Sequence, residues 1–399
     1  MRINSIDSMN RRSRTRLASV ALVVAGVVLA ACSSGSSSES SSAPADEPAA
    51  PSSAAAPSSE APSEAPAIDP AEQPPFQMAT WGGLSAKAFG KAWGGAFEEA
   101  TGIAYDNTPI MDYAAWQEQI KSGNPGWEWG DFEGWFPIAN SDLFADIPFD
   151  ELGITCDDMV RMNTPEEQAR ICTANSVASY FSSYVLAYNP ETHEDHPSGW
   201  AELFDTEKWP GIRSLYNYPY GMLEVALSAD GVPWSEMYPL DYERAFKKLD
   251  SLGADLVFTN SGAEAQQQMA SGSADYIVHW NGRVVPIAQQ GIPIAIDWKD
   301  NILILSSHVI PKNSSRPEVS AAFIKAALTC DAQAQASNLL GIGPTVEGCY
   351  EAIDEDIKPW VSTNTDNLAQ AAGLIDDVWW AENFSAAYEE WNAWQVSRG

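Results

Sequence analysis

The stretch Ala274–Ile294, ADYIVHWNGRVVPIAQQGIPI, decides how the chain is read. Ser273-Ala274-Asp275 is turn-like and leads into Tyr276-Ile277-Val278, whose β-branched residues favour a strand. That strand ends at His279-Trp280-Asn281-Gly282-Arg283, and Val284–Gln290 has helical character. Gly291 stops the helix, and Ile292–Trp298 resumes as a strand with Pro293 near its start. Open α/β sheets build ligand crevices where strands end. Here a strand delivers an indole, an amide and a guanidinium into a glycine-containing turn. The plainer alternative is a core Trp280 and a surface Arg283.

The strand–helix alternation continues outward from this stretch. Met78–Trp81 and Ile103–Asn107 read as strands, Ala86–Thr101 as a helix closed by Gly102, and Tyr113–Ser122 as a helix ended at Gly123. That rhythm implies a mostly parallel sheet with helices on both faces. From Phe76 onward the composition is globular, and about 320 residues exceed the usual limit for one domain, so two lobes are expected.

The beginning of the chain has a different character. Arg11, Arg12, Arg14 and Arg16 precede an apolar run of 15 residues, Leu17–Ala31, right for a signal peptide and short for a bilayer span. Leu29-Ala30-Ala31-Cys32 then reads as a bacterial lipobox, with cleavage before Cys32 and lipidation of its sulfur. Residues 33–75 are nearly all Ser, Ala, Pro and Glu, and cannot bury enough apolar surface to order a backbone. As a flexible tether they reach roughly 35–40 Å. The mature protein is thus expected to be anchored to the outer face of the bacterial cytoplasmic membrane.

Charge narrows the partners. Residues 1–31 hold five arginines and Asp7, so removing them moves the net charge from −32 to −36. Binding phosphates needs clusters of Lys and Arg, which excludes nucleic acid as an expected partner. The acidity steers cations and equally suits a solvated exterior surface. With Cys32 set aside, Cys156, Cys172, Cys330 and Cys349 form two local pairs, and export predicts disulfides Cys156–Cys172 and Cys330–Cys349. Neither spacing is a zinc motif, and HEDH at 193–196 reads as a solvated turn, so no metal and no cofactor is expected.

Glu128, Asp131 and Glu133 lie close enough to suggest a glycosidase pair, but no nucleophile elbow, HExxH or phosphate loop accompanies them. Binding without catalysis is the expectation. Of sixteen tryptophans, Trp81, Trp127, Trp129, Trp135, Trp280 and Trp298 fall at strand ends or loops. Such rings beside acids can hold an ammonium group at about 0.5–2 kcal/mol per contact, and can also stack a sugar. Trp379, Trp380, Trp391 and Trp394 recur at helical spacing and read as packing.

Six blocks occur in the order found in a known family: SSYVLAYNPE (182–191), SGWAELFDTEKWPGIRSLY (198–216), YPYGMLEVALSADGVP (218–233), HWNGRVVPIAQQGIPIAI (279–296), HVIPKNSSRPEVSAAFIKAA (308–327) and WWAENFSAAYEEWNAW (379–394). The chain resembles extracytoplasmic solute-binding proteins of ABC importers, of the spermidine/putrescine (polyamine) type. The resemblance implies a two-lobed, hinged α/β fold of the type II periplasmic-binding kind, with the ligand cleft between lobes. It implies a monomer that hands a small solute to permease subunits. Lobe 1 is expected at 76–180 with 307–345, and lobe 2 at 181–306 with 346–399. It also implies cleft residues: Trp81 at the first strand's end, Glu133 and Trp135 in the third loop, Trp280 and Asn281 in the WNG turn.

Two departures from the family pattern bear on the ligand. Where the family supplies carboxylates to polyamine nitrogens, this chain has Asn217–Gly221, with Tyr218 and Tyr220 in place of acids. Arg283 is expected beside the cleft, where it would repel a cation; Glu224 could compensate or could simply cap a helix. A polyamine-like cation is the leading expectation. The alternative is an amino acid, aminophosphonate or other zwitterion or anion held by Arg283, with a glycan-binding or glycan-hydrolysing wall protein as the outsider.

Overall fold

The computed structural model describes residues 70, 73–109 and 113–398. The expected leader, lipidation at Cys32 and nearly all of the tether lie outside the described residues. Among the described residues nine strands form one mixed sheet: β1 (Phe76–Thr80), β2 (Tyr105–Pro109), β3 (Trp129–Glu133), β4 (Val177–Tyr188), β5 (Arg213–Tyr216), β6 (Leu256–Thr259), β7 (Tyr276–Trp280), β8 (Ala295–Val309) and β9 (Gly373–Leu374). Their order is β2-β1-β3-β8-β4-β7-β5-β6, with β9 also paired to β8.

Two long strands make this one sheet into two lobes. β4 has 12 residues and β8 has 15, and they run antiparallel from Val177↔His308 to Tyr188↔Ala295. Of β8, β3 meets the Ser306–Val309 end alone, while β7 pairs with the Tyr184–Tyr188 end of β4. The parallel groups β2-β1-β3 and β7-β5-β6 therefore attach at opposite ends of the central pair. Register shifts between Ala178 and Tyr180 and between Tyr184 and Leu186 lie within those two ends and flank the short length between them. Such bulges bend and twist a strand locally, as a connection between lobes requires.

The local readings hold with shifted ends. The helix expected at 86–101 begins at Gly83, passes through a π-helical turn at Gly90–Gly94 and ends at Thr101, with Gly102 left-handed at φ 73°. The segment expected as helix from Val284 starts at Asn281, so the whole NGR triplet lies in the first turn of Asn281–Ala288. Its last strand starts at Ala295, after Pro293, and continues much further than Trp298.

Both expected disulfides are present, with Cα–Cα separations of 5.8 Å for Cys156–Cys172 and 4.7 Å for Cys330–Cys349. The C-terminal tryptophans do pack: Trp380, Trp391 and Trp394 are buried, and Trp394 stacks on Phe246 at 5.0 Å. No helix among the described residues is long and apolar enough to cross a membrane. Nor does any group of three His, Cys, Asp or Glu among them gather as metal ligands. His193 instead lies 3.1 Å from Asp275, and His196 contacts the Pro197 carbonyl at 2.9 Å. Glu128 is held by Arg316 at 2.5 Å and accepts the Gln77 N–H, which removes it from any pairing with Glu133. Asp131 accepts the buried Ser179 hydroxyl at 2.8 Å.

Candidate functional site

The carboxyl ends of strands from both lobes meet at one place. β1 delivers Trp81, β3 delivers Glu133 and the following Trp135, β5 delivers Tyr216 and the following Tyr218, and β7 delivers Trp280. After Trp81 the chain turns through Gly82 and Gly83, with φ 64° and 66°, a region costly for other residues. The Trp81 and Trp280 rings lie 6.2 Å apart, and Tyr113 meets Trp81 edge-on at 5.4 Å.

These residues surround two adjoining spaces. An inner pocket of about 30 Å³ is lined by Trp81, Glu133, Tyr180, Ser182, Trp280, Arg283 and Ser306, among others. An outer cleft of about 730 Å³ is lined by Trp81, Tyr113, Glu133, Trp135, Tyr216, Tyr218, Trp280, Phe384 and Tyr388, with Gln117, Asn140, Asn217 and Asn260 adding amides. Trp81, Glu133 and Trp280 belong to both.

Glu133 is 2% exposed. One carboxylate oxygen, Oε2, accepts the Tyr113 hydroxyl at 2.8 Å, the Trp135 indole N–H at 3.2 Å and the Tyr218 hydroxyl at 3.2 Å. The other, Oε1, is buried with no partner among the described residues. Burial pushes the Glu133 carboxyl up to about 7, against the pull of those three hydrogen bonds. It is poised between neutral and charged near neutral pH.

Arg283 supplies the opposite sign. It is 3% exposed and donates to the Gly82 carbonyl at 3.2 Å and the Trp81 carbonyl at 3.1 Å. Its guanidinium carbon lies 5.9 Å from the Trp280 ring centroid. Gly262 leaves the space the guanidinium fills, since a Cβ there would strike its Nε. Among the described residues no aspartate or glutamate pairs with it, and burial draws its pKa down. A guanidinium stays charged in proteins, so a buried one without a counter-ion carries a desolvation cost that an anion would relieve. His279 next to it is not a second cation. Burial first, then Arg283, hold its pKa well below the usual range, and its Nδ1 accepts the Trp280 backbone N–H at 2.9 Å.

Of the residues expected in the site, Trp81, Glu133, Trp135, Tyr218, Trp280 and Arg283 come together. Tyr220 and Asn281 do not line either space. Tyr220 is wholly buried and donates to Asp377 at 2.9 Å, while its carbonyl accepts the Tyr184 hydroxyl. The cause is a kink: Gly221 takes φ 86°, and Tyr220 leaves helical geometry with ψ 119°. A Cβ at Gly221 would collide with the Tyr184 ring. Asn281 is a pin between segments. Its Oδ1 accepts the Ser182 hydroxyl at 2.7 Å and the Ser183 N–H at 3.0 Å, and its Nδ2 donates to the Gly341 and Trp360 carbonyls. Glu224 is likewise internal, accepting from the Gly221 N–H, the Tyr238 hydroxyl and the Trp380 indole.

Tyr113, Tyr216, Phe384 and Tyr388 complete the wall and were not singled out from the sequence. Phe384 stacks on Trp135 at 3.9 Å and 13°, from the C-terminal helix Asp377–Arg398. The sequence held a signal: Trp380, Phe384 and Tyr388 are four apart and so share one helix face.

Two lobes joined by crossing strands, with aromatic and oppositely charged side chains converging between them, define a binding protein for a small solute. The chain belongs to the bacterial extracellular solute-binding protein family, whose pattern matches residues 92–382. It is similar to the gamma-aminobutyric acid-binding protein of Pseudomonas aeruginosa, 28% identical over 223 residues, which is 55% of this chain and 63% of that relative's length. Among solved structures, that of the Atu4243-GABA receptor is 30% identical, covers 81% of this chain and 98% of its own, and superposes with a TM-score of 0.70. An ABC transporter substrate-binding protein from Bradyrhizobium japonicum USDA 110 is 28% identical with a TM-score of 0.72, covering 81% and 99%. The spermidine/putrescine-binding protein of Streptococcus pneumoniae shares 16% identity and a TM-score of 0.62 over 82% of this chain and all of its own. At that identity the polyamine resemblance is one of fold.

Proposed function

We propose that the protein captures a small zwitterionic amino acid, of which γ-aminobutyrate is the type, rather than a polyamine. The observation that carries this reading is the presence on one pocket of two buried groups that find no match among the described residues: Arg283, without a counter-ion, and Glu133, with Oε1 unpartnered. The ligand carboxylate takes Arg283 in the inner pocket, where planar bidentate recognition suits a guanidinium. The ammonium takes Glu133 Oε1 among the faces of Trp81, Trp280 and Tyr218. The methylenes between them extend over the indoles toward the outer cleft.

The same arrangement disfavours a diamine. A second ammonium about 4 Å from Arg283 would cost about 4 kcal/mol at an effective dielectric of 20. The names of the two GABA-binding relatives point in the same direction as this electrostatic argument.

In this reading the protein is a monomer that closes on its ligand by hinge motion about β4 and β8, with lobe 1 at 76–180 plus 307–345 and lobe 2 at 181–306 plus 346–399. It delivers the solute to ABC permease subunits from the outer face of the cytoplasmic membrane, held there by a lipid on Cys32. Isothermal titration with γ-aminobutyrate, butyrate and n-butylamine tests the two-ended clamp. γ-Aminobutyrate should bind, and each one-ended analogue should lose at least a hundredfold. Equal binding of n-butylamine would remove the role given to Arg283, and equal binding of butyrate the role given to Glu133.

A further inference from the structure

The hinge strands have a second cavity on their other face. Successive strand residues point to opposite sides. Tyr180, Ser182, Ile304 and Ser306 line the inner pocket, while Phe181 and Leu303 form the floor of a separate cavity of about 270 Å³. Its walls are built, not incidental. Met162 comes from the loop closed by Cys156–Cys172, and Val346 from the loop closed by Cys330–Cys349. The two loops are tied to each other: the Val160 N–H donates to the Thr345 carbonyl and the Glu347 N–H to the Asp158 carbonyl, each at 2.9 Å.

The lining says what would fit. Leu368 at the rim is 41% exposed, one of four large apolar side chains so exposed among the described residues. An apolar floor walled by two disulfide-closed loops and bordered by a leucine has the make-up of a small-molecule site. Its uncharged polar side chains are Asn163, Tyr350, whose hydroxyl accepts from the Asn364 amide at 2.9 Å, and Thr363, whose Oγ1 is buried with no partner among the described residues. The charged groups at the mouth, Arg161 and Glu347, are solvent-exposed and of opposite sign, and Arg161 pairs with Asp157 at 3.2 Å, so the mouth presents no single charge to an ion.

We propose that this cavity is a second small-molecule site, taking a neutral and mainly apolar molecule with one hydrogen-bonding group, in the manner of a small alcohol or phenol. The hydroxyl of such a ligand meets Thr363 Oγ1, and its apolar body covers Phe181, Leu303 and Leu368. Benzyl alcohol serves as the probe, titrated into the disulfide-intact protein with methyl NMR of Met162 as the readout. Saturable one-to-one shifts at Met162 are expected, weakened at least tenfold by Leu368→Trp, which fills the rim, and a few-fold by Thr363→Val, which keeps the shape and removes the hydroxyl. Circular dichroism and thermal unfolding establish that each variant folds, and Val346→Phe replaces Leu368→Trp should that variant not fold. A Met162 methyl that does not move, or a probe that binds the filled variant as well as the wild type, overturns the proposal.

Discussion

Substituting Arg283 removes the feature on which the ligand reading rests. Two of its five N–H donors go to the Trp81 and Gly82 carbonyls, leaving others for a ligand carboxylate. Two charge-assisted hydrogen bonds at about 1.5–3 kcal/mol each give about 3–6 kcal/mol, or roughly 10²–10⁴ in Kd. Arg283→Ala should therefore weaken γ-aminobutyrate binding by about that factor. Arg283→Lys keeps the charge but not the planar fork, and a loss of about ten- to a hundredfold is expected from forfeiting one of the two bonds. Removing the guanidinium also frees the Trp81 and Gly82 carbonyls, which adds a structural part to the loss. Thermal unfolding of the unliganded proteins measures that part, and n-butylamine provides the chemical control, since a ligand without a carboxylate should gain or hold affinity in Arg283→Ala. Isothermal titration of all three proteins against both ligands gives the comparison. The reasoning is refuted if Arg283→Ala binds γ-aminobutyrate within threefold of the wild type.

Glu133 gives binding a pH dependence. Its carboxyl is pushed up to about 7 and must be ionised to hold an ammonium, so affinity should level off above about pH 7.5 and fall toward tenfold per unit below about pH 6. Glu133→Gln should bind weakly with a flat profile, and a sloping profile in that variant would assign the titration elsewhere. Asn281→Ala should cost about 2–4 kcal/mol in denaturant unfolding, because its partners Ser182, Ser183, Gly341 and Trp360 are left unsatisfied. Unchanged stability with abolished binding would return Asn281 to the ligand site. Glu224, raised to about 7 by burial, binds its proton more tightly folded than unfolded. Its contribution is therefore greatest below about pH 4.5 and is lost as pH rises through about 7. Between those limits the stability of Glu224→Gln relative to wild type should improve by up to about 3 kcal/mol, and a pH-independent difference in urea unfolding would contradict this.

Much of this was legible because it is local. Tyr276-Ile277-Val278 reads as a strand from its side chains alone, and a strand end in an α/β sheet is where ligand residues belong, which brought in Trp280. The cysteine pairs lie close in sequence, so exported chemistry was enough to join them. Tyr220 shows where local reading stops. Beside Tyr218 it looks like a second cleft ring, but the left-handed Gly221 turns it onto Asp377, more than 150 residues away. Asn281 fails for a related reason. An amide after a tryptophan in a turn has the chemistry of a ligand group, and only the approach of residues 182, 341 and 360 commits all of its hydrogen-bonding capacity. Arg283 is expected beside the cleft, and nothing in its local sequence says whether an acid pairs with it there. No acid does so among the described residues, and that absence of pairing depends on tertiary structure. Phe384 lies on a helix whose tryptophans at helical spacing point to packing, and only the tertiary structure turns its ring onto Trp135.

γ-Aminobutyrate and putrescine provide the most direct measurement, since they share a four-carbon length and an ammonium and differ in the group presented to Arg283. Thermal unfolding of the disulfide-intact protein with each ligand in excess reads selective binding to the folded state. With γ-aminobutyrate at a hundred times its Kd the folded state should gain about 2.7 kcal/mol, seen as a rise of a few degrees in Tm, while putrescine leaves Tm unchanged. A rise with putrescine and none with γ-aminobutyrate would contradict the account.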